Sequence, residues 1–401
     1  MKIIHLCLSC FYIDDYAYQE NELVAQNVRD GHDVVVIAST ESFGSDRTLT
    51  YVEPREYMGS DGARVIRLPY RKFLPHAIMK KLRMHPGLYK LLQKENPDVL
   101  FFHGLCGWEL LTVRKFKKNN PNVMVYADSH EDWNNSARSF ISKNILHGLY
   151  YKNIIQLSLE AIEKIYCISV DTINFVHSFY AVPQSKIEFL PLGGKILDDQ
   201  EYISRREKTR HSLNIKENEI LLVQTGKIDK VKKLIESLKA FSKIPDQNKK
   251  FLIAGALLDD VKEEVEDLIK KDSRVSFLGW KNTEELRDFL CAADVYVQPG
   301  SQSATMQMSL CCRCIVVIDD VESHVPFINN NGWLINKNQD LDHIFHELSQ
   351  KTVAEIQSMA LESNTIARKL LDYSEQAQLI YAHEAEKSRP ALKPGNPHQQ
   401  A

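Results

Sequence analysis

The stretch from Gln298 to Asp320, QPGSQSATMQMSLCCRCIVVIDD, combines residue types that could hold a phosphate group. It leaves a predicted strand, turns through Pro-Gly-Ser, and enters a predicted helix whose first residues are small or uncharged. A helix N-terminus exposes unpaired backbone N–H groups and the positive end of the helix dipole, which together favour an anion. The alternative is an ordinary strand-to-helix turn capped by Ser301 or Ser303, and the residues alone leave both readings open.

A second group with chemical potential is the set of lysines that follows the predicted strand LLVQT, namely Lys227, Lys230, Lys232 and Lys233. Two cations beside a helix start would favour a bound anion. The alternative is a basic loop that is simply solvated.

Polar side chains also follow predicted strands in the first half of the chain. The segment VMVYADSHEDW places His130 directly after a strand, with Asp128 close enough in sequence to hold its ring. Such a histidine is either structural or catalytic. The first strand-to-helix loop, SCFYIDDYAYQENE, offers Asp15, Tyr18 and Gln19. That loop is either part of a binding site or a polar lead into a helix with an acidic first turn.

The elements that must position these residues alternate between strand and helix along the whole chain. The first series of predicted strands covers 3–8, 32–38, 99–102, 123–126 and 164–168, and the second covers 220–223, 251–254, 275–277, 295–297 and 314–318. Near-continuous apolar strands separated by helices predict parallel sheets covered on both faces. We therefore expect an α/β protein with two Rossmann-like, doubly wound domains facing across a cleft, where ligands bind beyond the carboxyl ends of the strands. The charged segment from Lys195 to Asn218 is expected to be the linker.

Composition narrows the function classes. The 401 residues carry a net charge of −3, which gives no general attraction to nucleic acid. The eight cysteines lie in apolar contexts, so we expect reduced thiols in a cytoplasmic protein and no metal site. The sequence opens directly into a predicted strand, and neither a signal peptide nor a membrane span is expected.

Several segments together resemble the retaining glycosyltransferases of the GT-B fold, family 4 (glycosyl transferases group 1), of bacterial surface-polysaccharide type. LLVQTGKIDKVKKLIESLKAF, FLIAG and VSFLGWKNTEELRDFLCAADVYVQPGS are similar to the family's nucleotide-binding half, and GHDVVVIAS and IEFLPLGG to its first domain and inter-domain turn. The order and spacing of these segments are more specific than any one of them.

The resemblance implies roles for particular residues. Donor diphosphate contacts fall on Lys227 and Lys232, with lysine in place of the family's arginine at the first position, and on Ser303, Ala304 and Thr305. The family's two glutamates, which contact donor sugar and ribose, correspond to Gln302 and Gln307, so both carboxylates are amides here. An amide still bonds to hydroxyls but carries no charge.

In the first domain the resemblance places His130 against the donor sugar as the catalytic residue. Asp15, Tyr18, Gln19 and Asp128 are expected to belong to the acceptor site or to a loop of the cleft. The implied domains are 1–195 for the acceptor and 196–371 for the donor, with a helix at about 372–386 returning to the first domain and a disordered tail at 387–401.

The implied function is transfer of a sugar, with retained configuration and without metal or other cofactor, from a nucleoside diphosphate donor, expected to be UDP-linked. The acceptor would be a hydroxyl of a surface glycan or of a lipid-linked saccharide. The missing carboxylates keep a catalytically inactive GT-B accessory subunit open as the alternative. A sugar-nucleotide epimerase is disfavoured because no pair of acid and base carboxylates stands out.

Two stretches bear on a membrane partner. Residues 70–90 and 138–152 interleave lysine and arginine with aromatic and aliphatic side chains. Such surfaces suit the cytoplasmic membrane face or a lipid diphosphate. The alternative is a pair of amphipathic helices packed on the core with their cations extended to solvent.

Overall fold

The computed structural model describes residues 1–44, 48–300, 303–336 and 340–381. The chain divides into two compact units. The first contains Met1–Ile168, Thr172–Phe189 and the described residues from Ser374 onward, and the second contains Ser169–Asp171 and Leu190–Tyr373.

The first unit is built on an eight-stranded sheet with the order β10-β9-β8-β7-β1-β2-β6-β5. Every neighbouring pair is parallel except β5 with β6. A separate antiparallel pair joins β3 to β4. The strands are β1 (Lys2–Cys7), β2 (Asp33–Ser39), β3 (Glu41–Phe43), β4 (Leu49–Tyr51), β5 (Glu56–Met58), β6 (Arg64–Leu68), β7 (Val99–Phe102), β8 (Met124–Ser129), β9 (Lys164–Cys167) and β10 (Ile187–Phe189).

Helices cover both faces of this sheet, as the continuous apolar strands predict. Alternate residues of β2 belong to different clusters, because Val35 and Ile37 pack on one face and Val34 and Val36 on the other. The helical segments are α1 (Gln19–Arg29), α2 (His76–Leu82), α3 (Leu88–Glu95), α4 (Glu109–Asn119), a π-helix (Ser142–Tyr151), α5 (Lys152–Ser158) and α6 (Val170–Ser178).

The second unit is built on a six-stranded, all-parallel sheet with the order β13-β12-β11-β14-β15-β16. Its strands are β11 (Ile220–Ile228), β12 (Lys249–Leu257), β13 (Val275–Phe277), β14 (Val295–Gln298), β15 (Ile315–Asp319) and β16 (Gly332–Ile335). Its helices are α7 (Asp199–Ser212), α8 (Leu234–Ser242), α9 (Asp259–Lys271), α10 (Thr283–Ala292), α11 (Ala304–Cys311), α12 (Leu341–Gln350) and α13 (Val353–Leu370). The prediction of an α/β protein with two Rossmann-like domains is confirmed.

The prediction that residues 195–218 form a linker is wrong, because α7 occupies most of this segment. The side chain of Asp198 caps this helix by accepting a hydrogen bond from the Glu201 backbone N–H. Arg206 and Arg210 then anchor the helix on the buried carboxylate of Asp294, at 2.5 and 3.1 Å. The helix has almost no apolar face, so its sequence resembles a solvated segment although ion pairs hold it on the domain.

The end of the described chain packs on the first unit. Helix α14 (Tyr373–Gln378) is shorter than the predicted helix at 372–386, and residues 382–401 lie outside the described part. The Tyr166 hydroxyl donates to the Leu379 carbonyl at 3.1 Å, and the Tyr381 hydroxyl donates to Asp30 at 2.7 Å.

Each of the eight cysteines is free, and all except the partly exposed Cys10 are buried. In the described ranges, no helix has both the length and the apolar character needed to cross a bilayer.

Candidate functional site

In the second unit the lysine-bearing loop is tightly organised. Lys227 is an exposed residue near the end of β11, so the expectation that it lies on the following loop is wrong. After the strand, Asp229 accepts a hydrogen bond from the Lys232 backbone N–H at 3.1 Å and caps a single 3₁₀ turn, Lys230–Lys232. Lys233 then takes a left-handed conformation, with φ of 49°, and α8 begins.

The Lys232 side chain is half-buried and lies over Gly226, near the end of β11. A Cβ placed on Gly226 would lie 3.8 Å from Lys232 Cε. Burial lowers the pKa of Lys232, and Asp229 opposes that shift. Burial disfavours the charged form of this ammonium and a nearby anion favours it, so the position suits a phosphate.

A close backbone contact joins this loop to the turn after β14. Gly300 has φ of +123°, and a Cβ there would lie 2.0 Å from the Val231 carbonyl oxygen. Only glycine allows this approach. The contact therefore holds the turn after β14, three residues before the N-cap of α11, against the Lys232 loop.

The start of α11 lies over a buried tyrosine. Ser303 caps the helix by accepting from the Thr305 backbone N–H at 3.2 Å, and Ala304 is the first, exposed residue of the helix. Burial raises the pKa of Tyr296 to about 12, while hydrogen bonds from Thr225, Ser303 and Thr305 act in the opposite direction. Ser301 and Gln302 lie outside the described residues, so the sugar contact predicted for Gln302 stays a prediction. Gln307 is a half-buried residue of α11.

Two buried amides beneath this turn have unused hydrogen-bonding atoms. Gln224 and Gln298 are only 2% and 3% exposed. The Gln224 amide nitrogen donates to the Lys232 carbonyl at 2.7 Å, and the Gln298 carbonyl oxygen accepts from Tyr296 at 3.0 Å. Their other ends, Gln224 Oε1 and Gln298 Nε2, have no partner among the residues described. Because buried amides are normally satisfied, these atoms favour a site that a polar ligand completes.

In the first unit a chain of buried polar side chains crosses three adjacent strands. Asn27 Oδ1 lies 2.9 Å from His5 Nε2, and His5 Nδ1 lies 2.9 Å from His103 Nε2. The other nitrogen of His103 is 2.6 Å from Asp128 Oδ2. Asp128 Oδ1 accepts from the Gly104 N–H at 2.6 Å. The chain ends at His130, whose Nε2 is 3.8 Å from Asp128 Oδ1.

The carboxylate sets the charge of this chain. Burial alone would lower the pKa of His103, but Asp128 outweighs it and raises that pKa to about 9. The pKa of His130 is also raised to about 9, by Asp128 against burial. Burial lowers the pKa of His5 to about 3, so His5 is neutral and accepts from a protonated His103. Although burial acts to raise the pKa of Asp128, the two histidines hold it well below its usual range.

His130 is the member of this chain that meets solvent, since a third of its side chain is exposed. Its carbonyl accepts from the Asn135 amide at 2.7 Å, which fixes the following loop. A protonated ring held by a buried carboxylate can donate a hydrogen bond to a sugar hydroxyl or a phosphate oxygen.

The three residues predicted from the first strand-to-helix loop, Asp15, Tyr18 and Gln19, differ in their surroundings. Asp15 is exposed and accepts from the Ser60 hydroxyl at 2.7 Å. Tyr18 precedes α1 and is 38% exposed, whereas Gln19 begins α1 and is buried. The buried Glu20 adds to the raised pKa of both His103 and His130, so the start of α1 faces the histidine chain.

Sequence reasoning missed several members of these clusters: His5, Gln224, Tyr296 and Gln298. Each is a polar residue within an apolar strand, and that interruption was the available signal. In the part of the chain that the structure describes, no group of three or more His, Cys, Asp or Glu side chains is arranged to hold a metal ion.

Comparison with protein-family models gives two matches, one in each half of the chain. Residues 21–193 match the family described as Glycosyltransferase Family 4, and residues 205–352 match Glycosyl transferases group 1. No curated protein matches the sequence significantly.

Solved structures with the same architecture span almost the whole chain. Anabaena Alr3699/HepE, solved in complex with UDP, has a TM-score of 0.61 and 14% identity, covering 96% of this chain and 100% of that one. Sucrose-phosphate synthase from Thermosynechococcus elongatus gives 0.59 and 15%, with coverages of 96% and 100%. WaaG, a glycosyltransferase involved in lipopolysaccharide biosynthesis, gives 0.57 and 16%, with coverages of 94% and 99%.

The two domain matches and the shared architecture define this protein as a glycosyltransferase with the GT-B fold. Its first half carries the Glycosyltransferase Family 4 region, and its second half carries the group 1 region. The predictions of fold and of enzyme class are thereby confirmed at this level.

Proposed function

We propose that the protein is a retaining glycosyltransferase that moves a sugar from a UDP-linked donor to a hydroxyl of a surface glycan or lipid-linked saccharide. The observation that carries the proposal is the contact between Gly300 and Val231. It joins a desolvated lysine, the start of α11 and two incompletely bonded amides at one edge of the sheet. The UDP and UDP-glucose complexes of Anabaena HepE support the choice of nucleotide.

In this proposal the diphosphate lies between Lys232 and the start of α11. Lys227 and Lys232 balance the negative charge that grows on the leaving phosphate, and Ser303, Ala304 and Thr305 contact its oxygens. Gln307 contacts the ribose hydroxyls through its amide. The described residues offer this site ammonium and amide groups, so we propose that no metal or other cofactor takes part.

The reaction breaks the bond between the donor's anomeric carbon and the phosphate oxygen and forms one from that carbon to the acceptor oxygen. The acceptor proton passes to the departing phosphate, so no carboxylate nucleophile is required. His130, which the resemblance places against the donor sugar, donates a hydrogen bond as a cation. Asp128 acts through His130 and is a positioning residue.

A second candidate is an accessory GT-B subunit without turnover. It is favoured by Gln307, an amide at a position where the family has a carboxylate. An amide still recognises hydroxyls but gives no charge stabilisation to a developing oxocarbenium ion.

Turnover with a panel of UDP-, GDP- and ADP-sugars separates the two candidates. We expect slow hydrolysis of one UDP-sugar, with the α- or β-configuration of the released sugar retained in NMR spectra taken before mutarotation. Lys232→Ala should lose this activity, whereas Lys230→Ala, which removes an exposed lysine of the same turn, should keep it.

The enzyme proposal fails if no nucleotide sugar is hydrolysed or transferred although UDP binds. That result would favour the accessory subunit, and Gln307→Glu would then be examined for gained turnover. Inversion of configuration would refute the retaining mechanism while leaving transfer intact.

A further inference from the structure

The first unit carries an apolar groove of about 970 Å³, which lies within the size range of small-molecule sites. Helix α2 and Trp108 form one side, and the π-helix and α5 form the other. The apolar side chains that line it are Ile78, Leu82, Trp108, Ile145, Leu149 and Leu157. Among the described residues, none that lines this groove is acidic.

Large apolar side chains recur at intervals of four or eight residues along one edge of the groove and face solvent. Ile141, Ile145, Leu149 and Leu157 are 68, 54, 60 and 52% exposed. These side chains therefore do not pack into the core. The alternative interpretation of residues 138–152, an amphipathic helix packed on the core, would bury them. A continuous exposed apolar surface of this kind marks a binding site more often than an accident of folding.

The two sides of the groove are fixed to each other. The Tyr150 hydroxyl donates to the Leu82 carbonyl at 3.0 Å, and the Tyr151 hydroxyl donates to the Lys81 carbonyl. Because both bonds join the π-helix to the end of α2, the groove is formed without a ligand. A preformed groove reduces the ordering cost of binding.

A polar pocket of about 530 Å³ continues from the groove. Lys81, Ser139, Ser142 and Leu146 line both cavities. The charged side chains of the polar pocket are Lys80, Lys81, Arg83 and Arg138 on the positive side and Glu41 and Glu131 on the negative side. Cations therefore outnumber carboxylates at the place where the apolar groove ends.

The surrounding sequence is unusually free of negative charge. No aspartate or glutamate occurs between Asp61 and Glu95, although that segment holds nine lysines and arginines. None occurs between Asp132 and Glu160, which holds three more. Of these cations, Lys80, Lys81, Arg83 and Arg138 line the polar pocket, so the charge there is complementary to an anion.

We propose that these two cavities bind one molecule of a lipid phosphate, with its hydrocarbon chain in the apolar groove and its phosphate or diphosphate beside Lys80, Lys81 and Arg138. A neutral hydrophobe would leave the cations unpaired, and a free phosphate would leave the groove empty. Only a molecule with both parts satisfies both cavities.

The lipid phosphate is assigned as the carrier of the acceptor saccharide, and in this respect the inference rests on the proposed function. Glu131, which lines the polar pocket, directly follows His130 in the chain. A saccharide attached to the phosphate would therefore begin next to the residue proposed to contact the donor sugar.

Calorimetric titration with decyl phosphate tests the assignment, with decanol and inorganic phosphate as the two halves of the probe. We expect decyl phosphate to bind at least about tenfold more tightly than either half, because one molecule gains both contacts. Leu149→Glu should weaken it by about tenfold or more, since a carboxylate would enter the groove. Lys81→Ala should weaken decyl phosphate by about tenfold and leave decanol unchanged.

Matched controls use exposed positions elsewhere. Ile203→Glu places a carboxylate on a 49% exposed apolar residue of α7, and Lys90→Ala removes an exposed lysine of the same acid-free segment. Neither should change the affinity. All four substitutions alter surface side chains, and circular dichroism would confirm that each variant is folded.

UDP titration of the same samples separates the two proposals. If UDP binds and decyl phosphate does not, the lipid site is refuted while the donor site stands. If decyl phosphate binds and UDP does not, the lipid site stands and the proposed donor is wrong. Binding only to phosphatidylglycerol vesicles, abolished by Leu149→Glu, would show a bilayer-docking surface and overturn the single-lipid site.

Discussion

Replacing Asp128 by asparagine should remove the proton from His103 while keeping the hydrogen-bonded chain. In the native protein the carboxylate faces a protonated His103 at 2.6 Å and accepts from Gly104 N–H at 2.6 Å. An asparagine could accept from the same N–H and donate to a neutral His103, which would still donate to His5. The variant therefore loses charge without a buried polar atom becoming unpaired.

The size of the effect follows from the pKa of His103. A shift from 6.5 to about 9 corresponds to on the order of 3 kcal/mol of folding free energy in favour of the charged form. Because the folded pKa is raised, this stabilisation is fully present below pH 6.5 and is lost as the pH rises through about 9. Asp128→Asn should lower stability by about 2 kcal/mol at pH 6 and make much less difference at pH 9.

Histidine NMR titration with ¹³C-labelled rings, combined with urea unfolding at pH 6, 7.5 and 9, measures both quantities. In the native protein we expect both His103 and His130 to titrate near pH 9. Asp33→Asn, at a 65% exposed carboxylate of the same sheet, is the matched control and should change neither. Titration of both histidines near 6.5 in the native protein would refute the reasoning.

Two further predictions concern the second unit. Gly300→Ala should weaken UDP binding by about tenfold or more, since the new Cβ would displace the Val231 carbonyl and separate the two segments proposed to contact the phosphates. Isothermal titration calorimetry would measure the affinity, and an unchanged affinity would show that this contact does not shape the UDP site. Asp294→Ala should destabilise the second unit by about 3 kcal/mol, because Arg206 and Arg210 would lose their buried partner. Urea unfolding followed by circular dichroism would measure the free energy of unfolding. A decrease below about 1 kcal/mol would show that the ion pairs do not anchor α7.

The sequence predicts the two parallel sheets well because their strands are nearly continuous apolar segments. It also places His130 and Asp128 correctly at a strand end, since polar residues directly after a buried strand lie at the sheet edge. Both features depend only on residues close together in the chain, so they can be predicted from the sequence.

The parts that sequence reasoning missed depend on partners far apart in the chain. The highly charged α7 resembles a linker until Asp294 is brought against Arg206, 88 residues away. Gly300 resembles an ordinary turn glycine, and its contact with Val231 appears only when two neighbouring strands are aligned. The unused atoms of Gln224 and Gln298 likewise become apparent only when every neighbour is known.

The central claim, that a nucleoside diphosphate binds between the Lys232 loop and the start of α11, is tested most directly by calorimetric titration of UDP. The account predicts saturable binding that Lys232→Ala weakens by about 10- to 100-fold, the loss of a charge-assisted contact, while Lys230→Ala leaves it unchanged. Absence of UDP binding at millimolar concentration, or equal effects of the two substitutions, would contradict it.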